Sequence, residues 1–277
     1  YYNNKLISEI SPLPGLHTEN IHTSKTYVEY FLNSHFNPDK IIKAKTDHSP
    51  LFGLYPDLST EINSFPPSSI FSIELLLLNI LYQNDFQALD YCRLDFNDEY
   101  RNEQKTGMIK IKIGRDTVEN ESKKINYYIN NSDLLLRLDG NQKFRAAELH
   151  KLTKDIPLDR LQYIEEPFIS SKEMNIFTKK YNSKIPFAID DTLNNKTFDI
   201  SNIPLGVKYA VIKPNLIGGI SKAVSMSHLL KGHKVKTVIS SSFEGEVGIK
   251  TLNKIHFIFP NCFSEYPGLD TLKYFKN

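Results

Sequence analysis

Five charged residues recur along the sequence at nearly constant intervals, each at or directly after a short apolar run. They are Lys112, Asp139, Glu165, Asp190 and Lys213, and their residue numbers differ successively by 27, 26, 25 and 23. One strand with its crossover helix takes roughly 30 residues. The spacing therefore predicts that each charged group ends one strand of a repeated unit, and that all five meet at the same rim of a parallel sheet.

The residue types indicate what this rim could do. Three carboxylates from adjacent strands suit a hard cation such as Mg²⁺, or Mn²⁺ in its place, and none of the eight histidines shows a zinc pattern. Lysines on either side of the acids would face a bound molecule from opposite faces. A nearby cation helps a lysine lose its proton, so the metal and Lys110 would help Lys112 act as a base.

Each of these residues has a simpler interpretation when it is taken alone. An Asp or Glu that closes a strand more often caps the next helix or forms a turn. Lys-x-Lys is typical of a solvent-facing strand, and a residue before proline, such as Lys213, favours extended backbone. Five consecutive strands that end in charged residues are hard to attribute to capping, so we favour one shared site.

Short β-rich runs alternate with polar, helix-patterned stretches from about residue 90 onward. The predicted strands are Met108–Ile113, Leu134–Leu138, Gln162–Ile164, Pro186–Ile189, Tyr209–Ile212, Thr237–Ser240 and Cys262–Glu265, with Tyr91–Phe96 as an additional first strand. The predicted crossover helices include Thr117–Asn130, Lys143–Lys154, Lys172–Tyr181 and Ile220–Leu230. Strands that alternate with single helices indicate parallel βαβ units, and seven or eight of them predict a closed barrel.

The predicted fold class is α/β, a TIM-like (β/α)7β barrel with a smaller α+β capping domain. The first third of the chain contains a predicted strand, Lys5–Ile10, and two helical segments separated by a proline-rich loop, the second at Ser68–Gln83. We expect the capping domain over residues 1–88 and the barrel over 89–277. An open doubly wound sheet is the alternative, but no glycine-rich phosphate loop follows the first strand.

The composition argues against several classes of protein. A formal net charge of +2 over 277 residues leaves no basic stripe for binding nucleic acid. Cys92 and Cys262, the two cysteines, provide neither a disulfide framework nor metal-ligand spacing. The longest apolar stretch, Ile73–Tyr82, is too short to span a bilayer. We therefore expect a cytoplasmic protein with a small-molecule partner, without nucleic acid or membrane insertion; its oligomeric state stays open.

The ordered set Lys-x-Lys, Asp-x-Asn, Glu-Glu-Pro, Asp-Asp-Thr and Lys-Pro resembles the muconate-lactonising branch of the enolase superfamily. Within that branch, the sequence is most similar to the o-succinylbenzoate synthase family of menaquinone biosynthesis. Three further stretches carry this similarity. Glu9–Gly15 resembles the capping-domain signature of that family, Val238–Glu244 its seventh strand and Pro267–Thr271 its closing loop.

The resemblance implies roles for ten residues. The metal ligands would be Asp139, Glu165 and Asp190. Lys112 would be the base on one face, and Lys213 the lysine on the other. The remaining positions match supporting or substrate-binding residues, namely Lys110, Asn141, Asp191, Ser240 and Gly268. Of these, the resemblance implies that Ser240 and Gly268 contact a succinyl tail, although Ser240–Ser242 could equally be an ordinary polar turn after a strand.

Two features depart from the family's pattern. Asp190-Asp191-Thr192 stands where the family usually has Asp-Glu-Ser, which keeps the ligand but shortens its neighbour. In addition, only eight residues precede Glu9, where the family's cap begins with strands and a mobile loop. We expect either that an N-terminal portion is missing from this sequence or that the cap is reduced.

The implied reaction is the Mg²⁺-dependent dehydration of a small-molecule carboxylate, 2-succinyl-6-hydroxy-2,4-cyclohexadiene-1-carboxylate, to o-succinylbenzoate. An N-acylamino-acid racemase or a dipeptide epimerase, in which both lysines serve as acid and base, is the first alternative. A non-catalytic barrel that acts as a binding protein is the second. A binding role would not require the intact set of lysines and carboxylates, which argues against that second alternative.

Overall fold

A computed structural model describes residues 7–37, 41, 61–83, 89–95, 105–181, 184–195, 198–264 and 266–275. Within these residues, seven parallel strands form one sheet in which spatial order follows chain order. The strands are β1 (Arg93–Asp95), β2 (Met108–Lys112), β3 (Leu135–Asp139), β4 (Leu161–Glu165), β5 (Phe187–Ile189), β6 (Val207–Ile212) and β7 (Lys236–Ile239). The predicted strands at these positions are therefore confirmed, including the additional first strand.

Helices precede the sheet and connect its strands. They are α1 (Ile21–Ser34), α2 (Pro67–Leu81), α3 (Val118–Asn131), α4 (Ala146–Thr153), α5 (Ser171–Lys180), α6 (Pro214–Ile217), α7 (Ile220–Gly232) and α8 (Glu246–Ile258). Short 3₁₀ turns lie at Ile62–Ser64, Leu158–Arg160, Asp191–Asn194, Ile200–Asn202 and Leu272–Tyr274. None of the described helices is both long and apolar enough to cross a lipid bilayer. The four predicted crossover helices and the predicted helix at Ser68–Gln83 are confirmed within a few residues.

Alternation along the strands separates the core from the site. Ile111, Leu138 and Ile164 are fully buried in the main apolar core. Because successive strand residues point to opposite faces, the neighbours of these residues point to the other face of the sheet. A second, small apolar cluster, which includes Tyr163 and Val238, lies on that face. The main core therefore fixes each strand and leaves its charged neighbours to form the site.

The last described segment lies between the two edges of the sheet. On one side, the backbone N–H groups of Ser264 and Gly268 donate to Thr237 and Ile239 of β7, at 2.7 and 2.8 Å. On the other side, Cys92, directly before β1, donates to Pro267 at 2.9 Å. The sheet is therefore curved, so that its edges approach each other.

The predicted eighth strand at Cys262–Glu265 is wrong for its described part. Residues 262–264 form no strand, and Glu265 lies outside the described residues. The chain turns here through Asn261 and Tyr266, both with positive φ, which interrupts regular pairing. Gly268, rather than the predicted run, makes an isolated parallel bridge to Ser240.

The N-terminal residues pack against the helices of the sheet. α2 contacts α1 on one side and α6, α7 and α8 on the other. Glu19 accepts hydrogen bonds from the backbone N–H and hydroxyl of Ser68 at 2.9 and 2.6 Å, which caps the start of α2. The predicted strand Lys5–Ile10 is wrong for residues 7–10, which hold no strand, while residues 5 and 6 lie outside the described residues. The division at residue 88 stays a prediction.

Glu74 links α2 to the sheet's helices. Its carboxyl group is fully buried and accepts hydrogen bonds from the backbone N–H groups of Ile220 and Ser221, at the start of α7. Burial raises the pKa of Glu74 from 4.5 to about 7, although these N–H groups act in the opposite direction. The folded protein therefore binds this proton more tightly than the unfolded chain.

This raised pKa gives Glu74 a defined effect on stability. Its contribution is fully present below pH 4.5, and it is lost as the pH rises through about 7. We expect the loss to be on the order of 3 kcal/mol, since one pKa unit corresponds to about 1.4 kcal/mol. Urea unfolding at pH 5 and pH 7 should show a smaller pH dependence in Glu74→Gln than in the wild type.

The matched control is Glu246→Gln, because the side chain of Glu246 is 70% exposed. That variant should keep the wild-type pH dependence. Equal pH dependence in all three proteins would contradict the role of Glu74.

Candidate active site

All ten residues singled out in the sequence line one cavity at the carboxyl ends of the strands. Parallel pairing sets three of them side by side, because Lys112 pairs with Asp139 and Asp139 pairs with Glu165 in neighbouring strands. Asp190 and Lys213 directly follow β5 and β6. The predicted common rim is therefore present.

Two lysines of β2 compensate the first two acids. The ammonium of Lys110 lies 3.1 Å from Asp139 Oδ2 and 3.0 Å from Glu165 Oε1. The ammonium of Lys112 lies 3.3 Å from the same Asp139 oxygen. Both lysine side chains are 18% exposed, so each is in contact with an acid and also reachable from the cavity.

The third acid is paired on the far side of the cavity. The ammonium of Lys213 donates to Asp190 and lies 3.8 Å from Asp191 Oδ1. Glu166, the second acid of Glu-Glu-Pro, accepts hydrogen bonds from the backbone N–H groups of Asp190 and Thr192 at 2.8 and 2.9 Å. Glu166 thus fixes the turn that carries Asp190, a role that we did not assign from the sequence.

Burial and charge shift the three acids differently. Burial raises the pKa of Glu165 to about 7; Lys110 opposes this rise, and the charges of Asp139 and Asp190 add to it. Burial also raises the pKa of Asp190, in spite of the Lys213 ammonium. At Asp139, burial is outweighed by the two lysines of β2, which hold the pKa at about 2. The three acids therefore repel one another and depend on nearby cations.

The same attraction acts on the lysines. Burial alone would lower the pKa of Lys110, but Asp139 and Glu165 hold it well above its ordinary value. The pKa of Lys213 is raised in the same way, mainly by Asp190 and then by Glu165. In this arrangement both side chains remain cations near neutral pH.

A row of hydroxyl groups borders the other part of the cavity. Ser240 pairs with Gly268, and its hydroxyl donates to the Gly268 carbonyl at 3.2 Å. A Cβ atom on Gly268 would lie 2.7 Å from Ser240 Oγ, so any larger residue would displace this hydroxyl group. Ser241 and Ser242 follow, and both donate to the buried carboxylate of Glu244, at 2.7 and 2.5 Å. These hydroxyl groups are thus held in fixed positions.

Asn141 lies at the mouth of the cavity with a positive φ of 44°. Its backbone N–H donates to Asp139 Oδ1 at 3.3 Å. Asn is among the few residues other than Gly that adopt this conformation readily. The position is therefore suited to hold Asp139 from the backbone side.

Two further residues line the cavity, Arg137 and Tyr163, and we did not predict them from the sequence. Arg137 donates to Gln162 Oε1 at 2.7 Å and to the Tyr266 carbonyl at 2.9 Å. Its guanidinium lies 5.1 Å from the ring centre of Tyr163. Alternation would have found both residues, since each stands two positions before a predicted ligand.

The donor set suits a hard cation, although the acids are paired with lysines here. In the parts of the chain that the structure describes, no group of three or more His, Cys, Asp or Glu side chains is arranged to hold a metal ion as it stands. Asp139, Glu165 and Asp190 nevertheless line one cavity, supply only oxygen, and repel one another. Lys110 contributes the positive charge between Asp139 and Glu165. These residues fit Mg²⁺ in donor chemistry and in charge.

Curated proteins that carry one and the same name are similar in sequence to this chain. The chain is 32% identical over 176 residues to a protein named o-succinylbenzoate synthase from Vibrio cholerae, an alignment that covers 60% of this chain and 51% of that protein. The chain thus spans about half the length of that relative. A protein of the same name from Aliivibrio fischeri is 26% identical over 280 residues, covering 97% of this chain and 79% of the relative.

Solved structures share the fold. The crystal structure of N-succinyl Arg/Lys racemase from Bacillus cereus superposes with a TM-score of 0.71 at 15% identity, over 98% of this chain and 77% of the racemase. At this identity the likeness shows the fold alone. A sequence profile of the family described as Enolase C-terminal domain-like matches residues 95–270, which includes every strand from β2 to β7 and all ten site residues. The chain therefore belongs to this family, within the enolase superfamily.

Proposed function

We propose that this protein is an o-succinylbenzoate synthase, which removes water from 2-succinyl-6-hydroxy-2,4-cyclohexadiene-1-carboxylate in menaquinone biosynthesis. The observation that carries the proposal is the arrangement of Lys112 and Lys213, which reach one cavity from either side of the three strands that bring the acids. The names of the curated relatives support this reaction over others of the superfamily.

Asp139, Glu165 and Asp190 would hold Mg²⁺ through their carboxylates. When bound, the metal would supply positive charge for the substrate carboxylate and for the negative charge that develops on it. The same three acids repel one another in its absence. Binding of the cation and of an anionic substrate therefore favour each other.

Lys112 would act as the base and then as the acid. Its amine takes the proton from the carbon next to the substrate carboxylate, and the resulting electron pair forms the new ring double bond as the C–O bond breaks. The leaving hydroxyl receives the proton from Lys112 and departs as water. The product ring is aromatic, which drives the elimination forward.

Lys213 would stabilise charge on the opposite face. Its ammonium is paired with Asp190, and its pKa is raised by the neighbouring acids. A lysine held as a cation is suited to electrostatic stabilisation and poorly suited to abstract a proton. A racemase would require Lys213 to transfer a proton as well, so this role distinguishes dehydration from racemisation.

The metal assignment predicts a loss of Mg²⁺ affinity when one ligand is removed. Asp139→Asn keeps the size of the side chain but loses its charge, so calorimetry should show much weaker binding of Mg²⁺ than in the wild type. Asp155→Asn is the control, because its side chain is 84% exposed and lies outside the cavity. Equal Mg²⁺ affinity in all three proteins would rule out Asp139 as a ligand.

The roles of the lysines predict unequal losses of activity. We expect Lys112→Ala to lower the rate of dehydration by about 10²–10⁴-fold, the usual contribution of a general base. Lys213→Arg keeps the positive charge and should lower it less, although the guanidinium is a poor steric copy. Lys151→Ala, at a side chain that is 62% exposed, should match the wild type. A larger loss in Lys213→Arg than in Lys112→Ala would reverse the two roles.

The main competing function is racemisation of N-acylamino acids, which the fold shared with N-succinyl Arg/Lys racemase keeps open. A racemase needs both lysines to transfer protons, whereas the dehydration needs only Lys112. We therefore expect detectable dehydration, and exchange of the α-proton in D₂O for at most one enantiomer of an N-succinylamino acid.

The remaining outcomes each identify another function. Rapid exchange of both enantiomers without dehydration would replace the synthase by a racemase. Neither exchange nor dehydration would leave a binding protein.

A further inference from the structure

Asn215 connects the loop of Lys213 to the N-terminal part of the chain. It lies two residues after Lys213, within α6, and is fully buried. The turn that carries both residues is rigid, because Pro214 fixes its own φ and the N–H groups of Leu216 and Ile217 donate to the Lys213 carbonyl at 2.9 and 3.1 Å. A shift of Asn215 would therefore move the backbone of Lys213 as well.

The partners of Asn215 lie far away in sequence. Its side-chain amide donates to the Ser11 carbonyl at 2.8 Å and lies 3.4 Å from the hydroxyl of Ser242. Its backbone carbonyl lies 3.3 Å from His17 Nε2. Because His17 Nδ1 accepts a hydrogen bond from Leu13 N–H at 2.9 Å, the ring proton is on Nε2 and is donated to Asn215.

These bonds hold residues 11–17, which we call the docking segment, against the rim of the cavity. Leu16, within this segment, lines the same cavity as Lys213. A separate bond, from Gly245 N–H to Glu9 Oε1 at 2.8 Å, attaches the chain just before the segment to the loop after β7. The segment thus rests on the loops after β6 and β7.

The amide of Asn215 is costly as a purely structural group. Its Oδ1 atom is buried and has no hydrogen-bond partner among the described residues. An unsatisfied buried acceptor costs about 1–3 kcal/mol, so an apolar side chain would serve packing better. The hydrogen bond that the side-chain NH2 group donates to the Ser11 carbonyl explains why an asparagine stands at this position.

We propose that Asn215 is a positioning residue that couples docking of the N-terminal segment to the placement of Lys213 in the cavity. The proposal rests on the proposed function, in which Lys213 must face the substrate as a cation. Lys213 then has its correct position in the cavity only when the docking segment is bound against the rim. A displacement of about 1 Å can lower the rate of a reaction up to 10²-fold. A less firmly held Lys213 turn would therefore lower the turnover rate.

Three variants test the coupling. Asn215→Ala removes the amide. His17→Ala removes the bond to the Asn215 carbonyl together with the Leu13 N–H bond inside the docking segment, and leaves Asn215 in place. Ser8→Ala is the matched control, because the hydroxyl of Ser8 bonds to α2, donating to the Ser72 carbonyl at 2.6 Å and lying 3.1 Å from the Ser72 hydroxyl. All three proteins are first compared by circular dichroism.

Two of the measurements, hydrogen exchange and acetylation, do not require enzymatic activity. Hydrogen exchange followed by mass spectrometry should show faster exchange of residues 11–17 in Asn215→Ala than in Ser8→Ala, with α1 unchanged. Acetylation by an N-hydroxysuccinimide ester should increase at Lys213 relative to Lys112 in Asn215→Ala, since its ammonium is less firmly held against Asp190. His17→Ala should show smaller changes of the same kind.

Turnover then connects the coupling to catalysis. If the protein dehydrates the proposed substrate, Asn215→Ala should lower kcat about tenfold with little change in KM, because position rather than binding is lost. If the protein has no such activity, exchange and acetylation still decide the proposal. Should Asn215→Ala not fold, the ratio of Lys213 to Lys112 acetylation in His17→Ala decides in its place. Exchange and acetylation ratios equal to those of Ser8→Ala would overturn the coupling.

Discussion

Mutual repulsion of three buried carboxylates is the constraint on which the rest of this site depends. Asp139 and Asp190 both act to raise the pKa of Glu165, on top of burial. Such a group remains ionised only where cations stand close to it. Lys110 and Lys213 meet this need in the structure, and a bound divalent cation would take over part of the compensation.

Packing of apolar side chains in the core holds the strands that carry these carboxylates. Ile111, Leu138 and Ile164 occupy consecutive strands on the core face and are fully buried; each contributes about 1.5–3 kcal/mol by leaving water. A slip by one residue would exchange these side chains with the charged ones. The energy of the core thus fixes the register that holds Asp139 beside Glu165.

Local patterns made the strand ends and their acids predictable from the sequence. The intervals of 23–27 residues and the alternation around each acid depend only on neighbours along the chain. Parallel pairing then brings all the strand ends to one rim. The predicted strands and the shared cavity followed from this logic.

Contacts between distant residues were not predictable in the same way. Asn215 donates a hydrogen bond to Ser11, which is 204 positions earlier in the chain, and no periodicity connects the two. The predicted strand at Lys5–Ile10 failed for a related reason. Its apolar and polar pattern resembles a strand, but Ser8 and Glu9 bond to Ser72 and Gly245 instead of to a neighbouring strand.

The charge balance of the cavity bears on the kind of substrate it can hold. Four cationic side chains line it, those of Lys110, Lys112, Arg137 and Lys213, together with five carboxyl groups, those of Asp139, Glu165, Asp190, Asp191 and Asp270. With every group ionised, this lining has one negative charge in excess, which opposes the entry of an anionic substrate into a partly buried site. A bound Mg²⁺ would add two positive charges and give the lining one positive charge in excess, which one substrate carboxylate compensates. Under the proposed function, binding of a carboxylate substrate therefore depends on the cation. Because the dehydration substrate and an N-succinylamino acid both carry carboxylates, charge selects the class of substrate, while proton transfer by Lys112 alone or by both lysines decides the reaction.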